Sequence, residues 1–195
     1  KPPADSPQKE PFTRGASFQP PSHLLSGPWI DYPRNQDPFF GPDEPRLFFL
    51  IMGPNPDAQS MVRAWRAYQL APSPLLDARL RGQLALYVSG INYCEYSCAW
   101  FMQTLKSLGE SASAMSQLSS GQRPAHLSDV ETSLFDFAQL LTQEAWKTTE
   151  SHIENFRAHG LDDRTLLKVM MLVSYVNFEN RVALGLGLPP ESSAQ

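Results

Sequence analysis

Residues 92–101 read Asn-Tyr-Cys-Glu-Tyr-Ser-Cys-Ala-Trp-Phe and hold both cysteines of the chain. An apolar run, 84–91, precedes this stretch, and an amphipathic segment, 102–108, follows it. The Asn92 side chain can accept a backbone N–H two or three residues further on, so we expect it to begin a helix as its N-cap. Cys94 would then lie in the first helical turn, where free N–H groups and partial positive charge favour a thiolate.

Spacings of three or four residues place several side chains of this stretch on one helix face. We predict that this face forms the functional site, and its members are Cys94, Ser97, Cys98 and Phe101. Cβ atoms four apart on a regular helix are about 6 Å apart, against about 3.8 Å in a disulfide. A Cys94–Cys98 bond would therefore need the first turn to unwind. A reduced, intracellular pair is expected, in which Cys98 could also serve only as a small packing residue.

Composition limits the class of protein. The chain has 195 residues, 42% apolar and 11% aromatic, which suffices for one compact domain. Its net charge is −4 and no basic run could follow a phosphate backbone, so we expect no nucleic-acid partner. Apolar runs such as 169–176 are too short to span a bilayer, so no membrane partner is expected. We expect a cytoplasmic protein, although the chain begins at Lys1 and upstream processing stays open.

Three regions follow from the pattern along the chain. Residues 1–56 contain thirteen of the eighteen prolines, and we predict a tail and an extended wrapping arm over 1–43. A helical domain over 44–188 and a C-terminal tail over 189–195 complete the organisation. Helix-period apolar stripes and no strand-period stretch predict an all-α fold. The predicted helices cover 44–52, 55–70, 75–91, 92–108, 128–145, 149–159 and 162–187, with a loop or frayed helix over 111–123. Pro45 suits the first position of the first helix, and a break is expected near Gly90. Asn55 and Asp162 are expected to begin helices, and Ser128 with Glu131 to form a capping box.

The cysteine stretch also resembles the alkylhydroperoxidase D-like, carboxymuconolactone decarboxylase superfamily, in its peroxidase-related branch. The pattern there is Ser-x-x-Asn-x-Cys-x-Tyr-Cys-x-x-x-His, with a Glu twelve residues before the first Cys. Four positions match: Ser89, Asn92, Cys94 and Tyr96. The similarity continues through 137–141 and 149–187, and so covers roughly 45–188. It implies that family's helical bundle and assembly as a dimer, trimer or hexamer.

The resemblance breaks down where the family's chemistry depends on it. There, two thiols cycle between dithiol and disulfide, a histidine lowers the pKa of the reactive thiol, and a glutamate relays the proton. In this chain the second Cys position is Ser97, the His position is Phe101 and the Glu position is Gly82. A cysteine one residue late, Cys98, would put Met102 at the His position. Efficient peroxide turnover is therefore expected to be lost.

Three hypotheses about function remain open. The first is a diverged small-molecule enzyme performing non-redox chemistry, namely isomerisation, dehydration, decarboxylation or cyclisation, on a bulky apolar substrate. Its candidate catalytic residues are Tyr93, Cys94, Glu95, Ser97 and Cys98, and its candidate substrate-binding residues are Asn92, Tyr96, Trp100, Phe101, Met170, Asn177 and Arg181. The second is residual thiol redox through Cys94 and Cys98. The third is a non-catalytic binding or structural protein.

Several candidates also have purely structural interpretations. Trp100 and Phe101 would suit a plain core, and Glu95 would suit a solvated first turn. Asn177 and Arg181, four apart, could simply tie two helices together. The four histidines are scattered and none stands at ligand spacing from the cysteines, so no metal is expected. No glycine-rich phosphate loop follows a strand, so no cofactor is expected.

Overall fold

A computed structural model of the chain describes residues 27–30, 44–71, 73 and 76–191. Within these ranges the regular structure is entirely helical, which confirms the predicted all-α class. The predicted tail and arm over 1–43 lie outside the described residues except for 27–30, and 192–195 of the C-terminal tail lie outside them too.

The described residues contain eight α-helices and one 3-10 turn. The elements are α1 (Arg46–Leu50), α2 (Pro56–Leu70), α3 (Ala78–Ile91), α4 (Glu95–Ser107), α5 (Ala112–Ser119), α6 (Asp129–Gln143), the 3-10 turn (Ala145–Lys147), α7 (Glu150–Ala158) and α8 (Asp163–Gly185). Asn55 and Asp162 each accept a backbone N–H of the first turn they cap. Ser128 and Glu131 form the predicted capping box. Because these caps depend on neighbouring residues only, the sequence predicted them correctly.

Helix α3 is the centre of the bundle. Every residue from Arg81 to Ile91 is buried, and α3 packs against α4, α5, α6 and α8. We expected a break near Gly90, but α3 runs through it. A Cβ at Gly90 would lie 2.4 Å from the backbone oxygen of Leu118, so the glycine allows α5 to approach. Gly90 therefore permits close packing of α3 against α5 and does not interrupt α3.

Two further predictions need correction. The segment 111–123, expected to be a loop or a frayed helix, contains α5, whose Ser111 side chain accepts the N–H of Ala114. Its Met115 and Leu118 are buried against the core, so tertiary packing outweighs the weak local pattern. The first helix begins at Arg46, with Pro45 as N-cap instead of first helical residue. Among the described residues, no helix combines the length and apolar character needed to cross a membrane.

The chain following α8 folds back over the cysteine end of the bundle. The Trp29 N–H donates to the Leu186 carbonyl at 2.9 Å. Gly187, at φ +64°, lies under the Trp29 ring, where a Cβ would come within 2.5 Å of a ring carbon. Residues 188–191 continue across the start of α4, and we call this segment the strap.

Candidate functional site

The turn between α3 and α4 differs from our prediction. Asn92 ends α3, and the N-cap of α4 is Cys94. The Tyr93 and Cys94 N–H groups donate to the carbonyls of Gly90 and Ser89, at 3.2 and 3.0 Å. This is a Schellman motif, and it places Tyr93 at φ 55° in the left-handed position that glycine usually fills. The last residue of the motif, Cys94, is therefore also the N-cap of α4.

Cys94 is buried and hydrogen-bonded without being activated. Its side chain is 1% exposed, and its Sγ donates to Ser97 Oγ at 3.4 Å. Burial raises the pKa of the Cys94 thiol above its ordinary value. The hydroxyl and N–H of Ser97 lower this pKa, while the Glu179 carboxylate raises it further. Burial therefore outweighs the helix terminus that we expected to favour a thiolate.

The other family positions on α4 carry no proton-transfer group. Cys98 is a free thiol, and burial, with Cys94 and Glu95 adding to it, raises its pKa well above the ordinary range. Phe101, at the family's histidine position, is 2% exposed and lies under the Arg66 guanidinium, 5.9 Å from the ring centre. Glu95, the acidic residue of this helix, is exposed and raises the pKa of Cys98 instead of lowering it.

Gly82, at the family's glutamate position, has no free space beside it. An added Cβ would come within 2.9 Å of Leu105 Cδ2 and 3.2 Å of Leu105 Cγ. Leu105 is fully buried, so α4 fills the volume that a longer side chain on α3 would need. A glutamate here would require repacking of the α3–α4 contact.

A small cavity lies beside Cys94, and the strap forms part of its wall. Its volume is about 40 Å³, and it is lined by Tyr93, Cys94, Glu95, Tyr96, Ala183, Leu184, Gly187, Leu188, Pro189 and Pro190. The Tyr96 hydroxyl donates to Glu191 Oε1 at 2.5 Å and accepts the Phe48 N–H at 3.0 Å. Glu191 Oε1 also accepts the Leu47 N–H at 2.7 Å. These contacts, which we call the latch, hold the strap against α1 and α4.

Asn177 ties three helices together. Its Nδ2 donates to Thr142 Oγ1 and to the Val173 carbonyl, at 3.1 and 3.0 Å. Its Oδ1 accepts from Asn92 and Arg181, at 2.9 and 3.0 Å. Both N–H donors and both oxygen lone pairs of the Asn177 amide are thus used within the protein, so the amide has no hydrogen bond left for a ligand. The geometry fits the structural interpretation of this group.

The remaining candidates are divided between the cavity and other places. Tyr93 and Glu95 line the cavity and are exposed. Trp100 is half-buried and does not line it; its ring lies 5.6 Å from the Arg66 guanidinium. Met170, half-buried on α8, is thirteen residues before Ala183 of the cavity wall. At 1.5 Å per residue, it lies about 20 Å from the cavity along the helix axis.

A buried ion pair beside this site was missed from the sequence. Arg66 Nη1 and Glu179 Oε2 are 2.6 Å apart, with side chains 3% and 0% exposed. Burial lowers the pKa of Arg66, but the Glu179 carboxylate, Tyr175 and Tyr96 together outweigh it, and the net shift is upward. One signal was available: Arg66 falls between Val62 and Gln69 on the buried face of α2, where a charge is unusual.

The architecture can be compared with solved structures. A peroxidase-related protein from Silicibacter sp. TM1040 superposes with a TM-score of 0.71 at 23% identity, covering 86% of this chain and 94% of that one. An alkylhydroperoxidase AhpD core protein from Ralstonia eutropha JMP134 gives 0.67 at 19% identity, covering 73% and 75%. This chain has the alkylhydroperoxidase D-like fold. No family model matches the sequence, and no curated protein matches it.

A third solved structure shares the alkylhydroperoxidase D-like fold and contains a small molecule. It is a cysteine-to-alanine variant of the debrominase Bmp8 in complex with 2,3,4-tribromopyrrole, with a TM-score of 0.62 at 15% identity, covering 74% of this chain and 76% of that one. Among the described residues of our chain, no group of three or more His, Cys, Asp or Glu side chains could hold a metal ion. Identities at this level establish the fold alone.

Proposed function

We propose that this chain is an enzyme of alkylhydroperoxidase D-like fold that has lost the peroxidase relay and performs non-redox chemistry on a small, largely apolar molecule. The state of Cys94 carries the proposal. Its sulfur pairs with the Ser97 hydroxyl instead of a second thiol, and burial raises its pKa. A dithiol peroxidase needs the opposite condition, a thiolate next to a resolving thiol.

The groups around the site favour acid–base chemistry. Burial, with Glu191 adding to it, raises the pKa of Tyr96 well above its usual range, so the phenol can donate a hydrogen bond at neutral pH but does not release its proton. The Glu179 carboxylate stands close enough to raise the pKa of Cys94. Protonated donors beside a carboxylate suit isomerisation, dehydration, decarboxylation or cyclisation, because these reactions move protons without an external oxidant or reductant.

The walls of the cavity favour an apolar ligand. Five of its lining residues are aliphatic or proline, namely Ala183, Leu184, Leu188, Pro189 and Pro190. A cavity of about 40 Å³ has room for a few water molecules at most, since each needs about 10–15 Å³ on this measure. A ring-sized substrate must therefore displace the strap. The bound tribromopyrrole of the debrominase supports a small ring compound as ligand for a protein of this fold.

Peroxide consumption with a dithiol reductant tests the proposal. The wild type should turn over no faster than a Cys94→Ala variant, because burial keeps the Cys94 thiol protonated and its partner is the Ser97 hydroxyl instead of a resolving thiol. A Cys98→Ala variant should behave in the same way. Brisk turnover that either substitution abolishes would establish residual thiol redox in place of the proposed function.

We also propose that the chain forms a homo-oligomer. Three large apolar side chains on α2 and α8 are more than half exposed: Met61 at 68%, Tyr68 at 55% and Leu167 at 56%. Met61 and Tyr68 are seven residues apart on one helix face, and the Lys168 ammonium, next to Leu167, lies 5.8 Å from the Tyr68 ring. Exposed apolar surface of this kind often marks an interface. Light scattering that gives a 21.8 kDa monomer at micromolar concentration would refute this.

A further inference from the structure

Seven buried polar atoms without a partner are concentrated between α2 and α8. They belong to five side chains, each at least 97% buried: Arg66, Gln69, Tyr175, Glu179 and Asn180. Elsewhere in the described part of the chain, only the Thr148 hydroxyl is in the same condition. A buried polar atom without a partner costs about 1–3 kcal/mol, so a cluster of them calls for an explanation.

Arg66 binds its carboxylate differently from three other arginines. Arg63, Arg79 and Arg157 each present the Nε and Nη2 edge of the guanidinium to both oxygens of one carboxylate. Arg66 contacts Glu179 through Nη1, and no group meets hydrogen-bond geometry at its Nε and Nη2 atoms. The Tyr175 hydroxyl lies close enough to Arg66 and Glu179 to act on the pKa of the guanidinium. The edge with two parallel donors, which binds planar oxygen groups best, is therefore open inside the protein.

The charge balance selects the kind of group that this edge can bind. The charges of Arg66 and Glu179 neutralise each other. The two other groups that act on the pKa of Arg66 are the phenols of Tyr175 and Tyr96, which carry no charge when protonated. A further anion in this interior would leave an uncompensated buried charge, which costs several kcal/mol. A carbonyl oxygen accepts two hydrogen bonds without bringing a charge. The expected ligand is therefore neutral.

Apolar rings enclose the rest of the cluster. The rings of Trp100 and Phe101 lie 5.6 and 5.9 Å from the Arg66 guanidinium, and Trp65 packs edge-on against Tyr175 at 5.0 Å. Glu179 and Tyr175 are one turn apart on α8, so the free carboxylate oxygen and the phenol face the same region. A carbonyl compound with an apolar body matches these surroundings.

We propose that Arg66, Tyr175 and Glu179 form the polar end of a binding site for a neutral carbonyl compound, in which Glu179 acts as general base at the carbon next to the carbonyl. This inference rests on the proposed non-redox function and names its substrate class. Arg66 Nε and Nη2, with the Tyr175 hydroxyl, donate to the carbonyl oxygen. Glu179 Oε1, which has no partner, faces the adjacent C–H bond.

The proton transfer balances without any other reactant. Glu179 Oε1 takes the proton, the C–H electron pair becomes a carbon–carbon double bond, and the carbonyl π electrons move onto oxygen. Arg66 and Tyr175 stabilise the resulting enolate through their hydrogen bonds. Return of the proton to the same carbon gives exchange, and its return to a conjugated carbon gives an isomer.

The small cavity beside Cys94 provides the way in. Ala183, in its wall, follows Glu179 by one helical turn. Tyr96, which also lines the cavity, is close enough for the Glu179 carboxylate to contribute to its raised pKa. Displacing the strap therefore opens a route from solvent toward the ion pair.

Binding of three compounds with the same six-membered ring tests the charge argument. Cyclohexanone, cyclohexanecarboxylate and methylcyclohexane differ mainly at the group that would meet Arg66. We expect ligand-observed NMR to detect cyclohexanone only, and Tyr175→Phe to weaken its Kd about tenfold, or 1.4 kcal/mol. This variant keeps the ring and leaves the Arg66–Glu179 ion pair in place, so it should fold with a Tm close to that of the wild type.

Exchange of the cyclohexanone α-protons in D2O tests the base. We expect the wild type to catalyse the exchange and Glu179→Gln to reduce it at least about a hundredfold, the range of general-base effects, while Kd changes little. Asp163→Asn, an exposed carboxylate of the same helix, should leave the exchange unchanged.

The outcomes separate this inference from the proposed function. Cyclohexanone that neither binds nor exchanges, or an unaltered exchange rate in Glu179→Gln, would overturn the inference even if peroxide turnover is absent. Tighter binding of cyclohexanecarboxylate would overturn the neutral-ligand argument. Brisk peroxide turnover would refute the proposed function whatever the exchange result.

Discussion

The thiol end of α4 and the ion pair between α2 and α8 are equally buried but differ in what they can do. Cys94 has a hydroxyl partner and a raised pKa. Arg66 and Glu179 form an ion pair, and some of their donors and one acceptor atom have no group at hydrogen-bond geometry. The groups best suited to move a proton are therefore not those of the cysteine motif but a neighbouring pair on α2 and α8.

The two regions share one packing arrangement. Phe101 and Gly82, at the positions where the motif that the chain resembles has a base and a relay, are packed against other side chains, and Leu105 occupies the volume at Gly82. Arg66 lies over the Phe101 ring, so this apolar ring provides a surface for the buried cation.

The largest expected effect comes from breaking the ion pair. Glu179→Ala should lower the free energy of unfolding by about 3–5 kcal/mol, because it leaves Arg66 charged and unpaired in the core. Urea denaturation measures this change. The matched exposed pair is Arg157–Asp163, with side chains 51% and 72% exposed; there Asp163→Ala should barely move the midpoint. Equal effects at the two pairs would contradict the special status of the buried one.

Releasing the latch should have the next largest effect. Glu191→Ala removes an acceptor shared by Tyr96 and the Leu47 N–H, at a cost of about 1.5–3 kcal/mol for hydrogen bonds to a charged group. In a Cys98→Ala background it should also speed alkylation of Cys94 by iodoacetamide. If alkylation stays as slow as with the strap in place, the strap does not control access to the thiol.

A smaller effect is expected at the family's glutamate position. Gly82→Ala should cost about 1–3 kcal/mol through its contact with Leu105, less about 1 kcal/mol gained in helix propensity. Gly185→Ala is the control, since nothing lies within 4 Å of an added Cβ there, and it should not destabilise. A Gly82→Ala variant as stable as the control would mean that Leu105 on α4 moves away from the added Cβ at little cost.

Restoring the relay should fail for the same reason. Gly82→Glu, Ser97→Cys and Phe101→His act as a unit, so single changes should give no peroxide turnover. We expect the triple variant to recover turnover only when Leu105 is also made smaller. Turnover in Phe101→His alone would show that the thiol needs only a base.

Local features of this fold followed from the sequence, while long-range ones did not. Caps at Asn55, Ser128 and Asp162 need only neighbouring residues and were predicted correctly. The Schellman turn was missed because Tyr93 is an unusual residue for a left-handed position. Nothing in the spacing of the two residues could pair Arg66 with Glu179, 113 positions apart. The family motif pointed to the correct end of the bundle and gave no sign of that pair.

The pKa of Cys94 tests the central claim most directly. In a Cys98→Ala variant, the rate of alkylation by iodoacetamide against pH reports thiolate formation at Cys94 alone. Because burial raises the pKa, the midpoint should lie above about 8.5, the value of a free cysteine. The same shift means that stability contributed by the neutral thiol is lost only as pH rises from that value through the folded-state pKa. A midpoint near about 6 would mean an activated thiolate and would contradict the account.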